Sequence, residues 1–236
     1  MLSVCGLHPP REVPVLVFGP PVRPAHLLQA AAAVEHGVLR DRCVAHEGVG
    51  DRAHLVGIDV ESVGVPAVPA HRRRQRQRLA NRPEVIWTEA PPPAFSGLIL
   101  CNEVLDAMPV HLIARRASDW MERGVALNGE QLVFSDRAAS PDLLVQLPQR
   151  DPLPEPYVTE VHPQQAGFVR TLGDMLSAGE GGIAVLIDYG FPSSEYYLPQ
   201  RSGGTLMCHY RHHAHEEPLR WVGLQDITAH VDFTQM

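Results

Sequence analysis

Three stretches of the chain hold residue types that could do chemistry. Asn102-Glu103-Val104-Leu105-Asp106 follows the apolar run Phe95 to Cys101, so a strand covered on both faces would deliver an amide and two carboxylates at its end. Glu103 and Asp106 are three apart and share a face if the turn between them is helical. Paired acids at such a position can hold a cation or act as a general base. The same residues would also suit a structural role, with Asn102 capping the turn and Glu103 favoured at its amino end. A further acid, Asp188, closes the apolar run Gly182 to Ile187 and precedes Tyr189-Gly190, as a site residue or as a turn starter. Thr228-Ala229-His230-Val231-Asp232 alternates like a strand. That puts Thr228, His230 and Asp232 on one face, lining a pocket or simply edging a sheet.

Cys208-His209-Tyr210-Arg211-His212-His213-Ala214-His215-Glu216-Glu217 is rich in metal-ligand types. His209 and His213, four apart, could bind zinc from one helix face with Glu216 or Glu217 as third ligand. No second ligand cluster accompanies them, a polar loop beside Pro218 accounts for the same residues, and no metal is expected.

The elements that must position these residues are clearest after His71. Glu84 to Thr88 is β-branched and aromatic, as strands are. Val110 to Ile113, Gly124 to Leu127 and Gln131 to Phe134 read as strands, with a hairpin turn at Asn128-Gly129. Pro163 to Ala178 reads as a helix with Phe168, Leu172, Met175 and Leu176 on one stripe, Pro163 in the first turn and Gly179 as the stop. Arg72 to Arg78 suits a solvated helical face. Before His71, Val13 to Gly19 and Leu55 to Val60 could be strands and Ala25 to Val34 a short helix. Strand, helix and strand in this order, with apolar strands ending in Asn, Glu or Asp, predict an α/β fold with a parallel sheet. Ligands in such folds bind outside the carboxyl ends of the strands.

Composition narrows the function classes. The 236 residues hold 20 basic and 27 acidic side chains, a net charge of −7, which disfavours nucleic acid and anionic membrane as partners. Every basic residue is arginine, as a GC-rich bacterial genome would encode. Mean hydropathy is −0.10, no run of about 18 apolar residues spans a bilayer, and the first residues lack a secretory pattern. The four dispersed cysteines read as reduced thiols of a cytoplasmic protein. Oligomeric state is left open.

Asn102-Glu103-Val104-Leu105-Asp106-Ala107-Met108-Pro109-Val110 resembles the N-E-x-L-D-A-x-P-V signature of the MidA-like methyltransferases, relatives of a mitochondrial arginine methyltransferase that assists complex I assembly. The likeness continues through Arg74 to Leu79, Trp120 to Arg123, Gly182 to Gly190, Gly203-Gly204-Thr205-Leu206 and Gly223 to Thr234, covering residues 71–236. It implies a Rossmann-like class I methyltransferase sheet with helices on both faces, S-adenosylmethionine as cofactor, and methyl transfer to a protein arginine. Methyl transfer is an in-line displacement, so the protein mainly places and polarises the reactants, and a carboxylate matches a guanidinium bidentately. On this reading Glu103, Asn102 and Asp106 are catalytic, Glu103 holding the guanidinium. Gly19, Asp59, Glu89 and Cys101 would contact the cofactor, and Asp188, Tyr189, His230 and Asp232 the substrate.

The family's glycine-rich loop after strand one corresponds to Val17 to Pro24. Only Gly19 remains there, and prolines remove backbone donors. The ribose-binding acid after strand two falls at Pro66 by spacing, with Asp59 or Glu61 as substitutes. Residues 1–70 are therefore expected to be a diverged or frame-shifted cofactor-binding half, 71–236 the methyltransferase-like domain, and the whole a fragment incomplete at both ends. Two other readings follow. One is a catalytically inactive relative acting as a protein-binding or assembly factor; the other is a metal-dependent hydrolase built on His209 to His215.

Overall fold

A computed structural model describes residues 15–18, 42–48, 53–58, 76–81, 85–88, 90–117, 119–147 and 153–236. The chain divides into two units, one of residues 1–105 with 167–189, the other of 106–166 with 190–236.

The first unit is built on a six-stranded sheet. Its strands are β1 (Val15–Phe18), β2 (Arg42–Gly48), β3 (Ala53–Ile58), β4 (Val85–Thr88), β5 (Gly97–Asn102) and β10 (Gly182–Ile187), in the order β1-β10-β5-β2-β3-β4. β5 and β10 pair in parallel, as do β3 and β4, whereas β1 runs antiparallel to β10, and β2 antiparallel to both β5 and β3. The sheet is thus mixed, with four of its six strands co-directional. Leu98 to Cys101 and Ile183 to Leu186 are continuous apolar runs, and Ile99, Leu100, Cys101, Ala184 and Leu186 are at most 4% exposed, as the central parallel pair of an α/β sheet requires. The helix α2 (Pro163–Ala178) occupies the predicted span, and the predicted stripe of Phe168, Leu172, Met175 and Leu176 is buried. Met175 O accepts the Phe95 N–H at 3.0 Å, tying the helix to the chain entering β5. The strands expected near Val13 to Gly19 and Leu55 to Val60 appear as β1 and β3. The helix expected over Ala25 to Val34 lies outside the described residues, and of the solvated helical face Arg76–Arg78 are described, as an exposed helical turn.

The second unit carries a four-stranded antiparallel sheet ordered β8-β7-β6-β9: β6 (His111–Arg116), β7 (Asp119–Asn128), β8 (Gln131–Ala138) and β9 (Tyr157–Val161). The Asn128-Gly129 signal produces the β7–β8 hairpin, Asn128 facing Gln131 and Gly129 at φ 62°. One side packs Ile113, Leu143, Leu147, Leu153, Tyr157, Val161, Tyr196 and Tyr197 into a core. Completing the unit are helical turns α1 (Pro141–Leu144) and α3 (Ser193–Tyr196), the pair β11 (Gly190–Phe191) with β15 (Val231–Asp232), and a three-stranded sheet of β12 (Met207–Tyr210), β13 (His213–His215) and β14 (Asp226–Thr228). The strand expected from Thr228 to Asp232 is interrupted. Ala229 donates its N–H to Asp106 O (2.9 Å) and His230 to Thr205 Oγ1 (3.0 Å), so the chain leaves β14 before entering β15.

Candidate functional site

The pairing directions put the carboxyl ends of β3, β4, β5 and β10 on one edge of the sheet. Thr88 faces Ile58; one residue back, Gly57 faces Val44, which faces Leu100; Asn102 faces Ile187. Asp59 and Glu89 directly follow β3 and β4 in the sequence but lie outside the described residues. Gly19 lies outside them too. Phe18, just before it, pairs with Ala184 near the start of β10, so β1 ends toward the opposite edge. Cys101 is 1% exposed and disulfide-bonded, which corrects the expectation of reduced thiols there; Cys208 is a buried free cysteine.

At the edge itself, Asn102 is half-buried at the end of β5 and Glu103 is exposed. Glu103 N–H donates to Ile187 O at 2.8 Å, continuing the strand pairing by one residue. Glu103 then turns to φ 49°, a left-handed conformation that costs a non-glycine residue about 1 kcal/mol. The turn that follows is irregular rather than helical, so the condition for Glu103 and Asp106 to share a helical face is not met.

Asp188 holds this turn. It is 2% exposed, and its Oδ2 accepts the N–H groups of Leu105 (2.9 Å) and Val104 (3.2 Å), while Oδ1 accepts Tyr189 N–H at 2.9 Å. A buried carboxylate that engages three backbone donors aligns the chain leaving β5 with the chain leaving β10.

Asp106, His230 and Asp232 belong to the second unit. Asp106 is 4% exposed. His230 stacks on Phe191 at 5.2 Å with the rings 4° from parallel; burial and the Arg201 charge lower its pKa. Asp232 is fully buried, and both its oxygens accept Ser193 Oγ–H at 2.8 Å. Burial raises its pKa.

A buried polar cluster in this unit carries no motif signal of its own. Glu160, fully buried on β9, accepts Thr205 N–H (2.9 Å) and Leu206 N–H (3.1 Å) on Oε1, and Tyr196 Oη–H (2.8 Å) on Oε2. Burial raises its pKa. His162 Nε2 lies 3.1 Å from Tyr196 Oη, and burial pushes His162 down to about 4. Gly204, at φ 80°, sits where a Cβ would collide with Glu160 Oε1. The available clues are an acid inside the β-branched run Tyr157 to Val161 and the family word Gly203-Gly204-Thr205-Leu206.

His209 and His213 are not on a helix. They fall on the paired strands β12 and β13, His209 facing Ala214 and His213 facing Tyr210. Among the described residues no group of three or more His, Cys, Asp or Glu could hold a metal ion, and no helix is long and apolar enough to cross a membrane.

The fold is that of an α/β protein, and the edge at the strand carboxyl ends is where such proteins bind ligands. Residues 59–236 match the model of a family described as "Putative S-adenosyl-L-methionine-dependent methyltransferase". The chain belongs to that family, in agreement with the MidA-like resemblance, and its α/β architecture is the family's Rossmann-like one. Two crystal structures from Burkholderia thailandensis are similar, both of COG1565 superfamily proteins. One is 47% identical, with a TM-score of 0.63, over 70% of this chain and 45% of that one. The other, bound to S-adenosyl-homocysteine, is 42% identical with a TM-score of 0.63, over 75% of this chain and 48% of that one. A Caenorhabditis elegans protein, "Protein arginine methyltransferase NDUFAF7 homolog, mitochondrial", is 28% identical over 145 residues, 60% of this chain and 32% of the relative. The chain thus spans about a third of the nematode protein and just under half of each Burkholderia chain.

Proposed function

We propose that this chain carries the cofactor edge of an S-adenosylmethionine-dependent methyltransferase, with 71–236 as its methyltransferase domain and 1–70 as part of the cofactor-binding half. The transfer is to a protein arginine. The observation that carries the reading is the shared edge of four co-directional strands, where the Asp188 lock presents Asn102 and Glu103. Its support is the family match, the S-adenosyl-homocysteine bound by one Burkholderia relative and, for arginine, the name of the nematode relative. Asp59 and Glu89 are the acids we assign to the cofactor ribose, since both follow strands ending at this edge. Bound cofactor supplies the electrophilic methyl group. Glu103 orients the guanidinium, Asn102 contacts the cofactor, and Asp188 acts by positioning both.

Glu103→Gln tests this reading. Methyl transfer to an arginine-containing protein should fall by about a hundredfold or more while calorimetric affinity for S-adenosylmethionine stays within a few-fold. Normal turnover by the variant would remove Glu103 from the role. A second reading, an inactive relative that binds a protein partner, is favoured by the direction of β1, whose last residue Phe18 pairs with Ala184 rather than at the Asn102 edge. The absence of any calorimetric signal with S-adenosylmethionine in the unmodified protein would select it.

A further inference from the structure

We propose that the tip of the β7–β8 hairpin is a self-association arm, two copies of this chain laying their arms face to face and antiparallel about a two-fold axis. In that arrangement Leu127 and Leu132 of each copy meet Val125 and Phe134 of the other. Glu130 at each tip meets the arginines at the base of the other arm.

Strand pairing defines the arm. β6 accompanies β7 only from Asp119 to Arg123, Leu112 facing Arg123 at the end of the register. From Gly124 to Asn128, among the described residues, β7 pairs with β8 alone. A two-stranded ribbon about 17 Å long therefore extends past β6, and such a ribbon is at best marginally stable in water by itself. Val125 faces Phe134 and Leu127 faces Leu132, and alternate pairs along an antiparallel ribbon share a face. The Arg123 guanidinium lies 5.3 Å from the centre of the Phe134 ring, so the Arg123–Asp136 pair is on that face too. Leu127 is 72% exposed, Val125 54%, Phe134 41% and Leu132 39%. Large apolar side chains gathered on one exposed face, not scattered singly, mark an interface.

The charges indicate what covers it. At the base, Asp136 is shared by two guanidiniums, Arg123 at 2.9 Å and Arg116 at 3.2 Å, which leaves one positive charge in surplus. At the tip, the turn Asn128-Gly129-Glu130 carries one exposed carboxylate. Glu122 and Arg137 pair with each other on the opposite face. Asp119, also on the arm's own face, lies four residues further from the tip than Arg123, past the end of the partner's arm. A two-fold axis at the level of Ala126 carries the Val125–Phe134 pair onto the Leu127–Leu132 pair, and the Arg123–Asp136 pair onto the turn. Apolar pairs then stack on apolar pairs and each acidic tip lies on a surplus arginine. The face is complementary to itself, as an isologous contact requires. The acid at the tip and the net charge of −7 make an anionic membrane a poor occupant.

Sedimentation equilibrium of the full chain over a wide range of concentration tests this. The mass should rise from the 26.0 kDa of one chain to twice that and no further, because a two-fold contact closes. Leu127→Asp, at the most exposed of the four positions, should weaken self-association at least about tenfold, with an unchanged circular dichroism spectrum. Glu130→Arg should weaken it as well. Adding Arg116→Glu to Glu130→Arg, which exchanges the two signs, should restore part of the loss. A wild type that stays monomeric into the high micromolar range, or a mass that climbs past the dimer, would overturn the proposal. So would a dimer indifferent to both Leu127→Asp and Glu130→Arg, since it would use another surface. The wild-type mass and the Glu130 variants decide the matter even if Leu127→Asp does not fold. No readout involves methyl transfer, so the outcome is independent of the transferase reading.

Discussion

Asp188 Oδ2 accepts the backbone N–H of Leu105 at 2.9 Å across 83 residues of sequence. This one bond, with its companions from Val104 and Tyr189, makes the exits of β5 and β10 a single rigid piece. Asp188→Ala removes the acceptor from three N–H groups, those of Val104 and Leu105 on buried residues. Each buried orphan costs about 1 to 3 kcal/mol, so urea unfolding should show a loss of about 3 kcal/mol or more. Asp188→Asn, which keeps one oxygen, should lose less. Equal stability of Asp188→Ala and wild type would show that the lock is not structural.

Gly203 and Gly204 adjoin in sequence and differ in what they tolerate. Gly204 has φ 80° and faces Glu160 Oε1, whereas a Cβ on Gly203 meets nothing within 4 Å. Gly204→Ala should cost about 2 kcal/mol or more from strain and overlap, and Gly203→Ala should stay within about 0.5 kcal/mol of wild type. Thermal melts of the two variants give the comparison directly.

His162 is 3% exposed with its pKa pushed down to about 4 by burial. The unfolded chain, with an ordinary histidine near 6.5, binds the proton more readily than the folded one. The His162 contribution therefore weakens as pH falls from the unfolded value toward the folded one. The stability difference between wild type and His162→Gln should decline over that window in pH-dependent denaturation. A constant difference would mean that His162 titrates alike in both states.

On the β6–β7–β8 sheet the sign of the effect rests on acids. Asp136 is held below its ordinary range first by hydrogen bonds from Arg123, at 2.9 and 3.1 Å, and then by Arg116; Glu122 is lowered by His111 and Arg137. Groups with depressed folded pKa values contribute above their unfolded values and lose that contribution as pH falls through the folded ones. Asp136→Asn should flatten the acid limb of the stability curve below about pH 4 and leave its shape near pH 7 unchanged.

The elements with a strong local pattern were legible without coordinates. The α2 stripe, the Asn128-Gly129 hairpin and the two apolar strands ending at Asn102 and Asp188 follow from periodicity, turn chemistry and continuous burial, all short-range properties. The long word from Asn102 to Val110 was enough to indicate the family. Strand direction was not legible, because an isolated apolar run says nothing about which neighbour it pairs with: β1 runs against the expected parallel order, and β2, over Arg42–Gly48, was not expected as a strand. Nor was the split of Thr228–Asp232 into two strands, which depends on where the N–H groups of Ala229 and His230 find acceptors. The Glu160 cluster lies furthest from local signals. It joins residues 160, 162, 196 and 205, and only the folded chain brings an acid, a tyrosine and a threonine to within a hydrogen bond of one another. Types and spacing are written along the chain; burial, partners and protonation are properties of the assembled interior, since they depend on which groups exclude water from which.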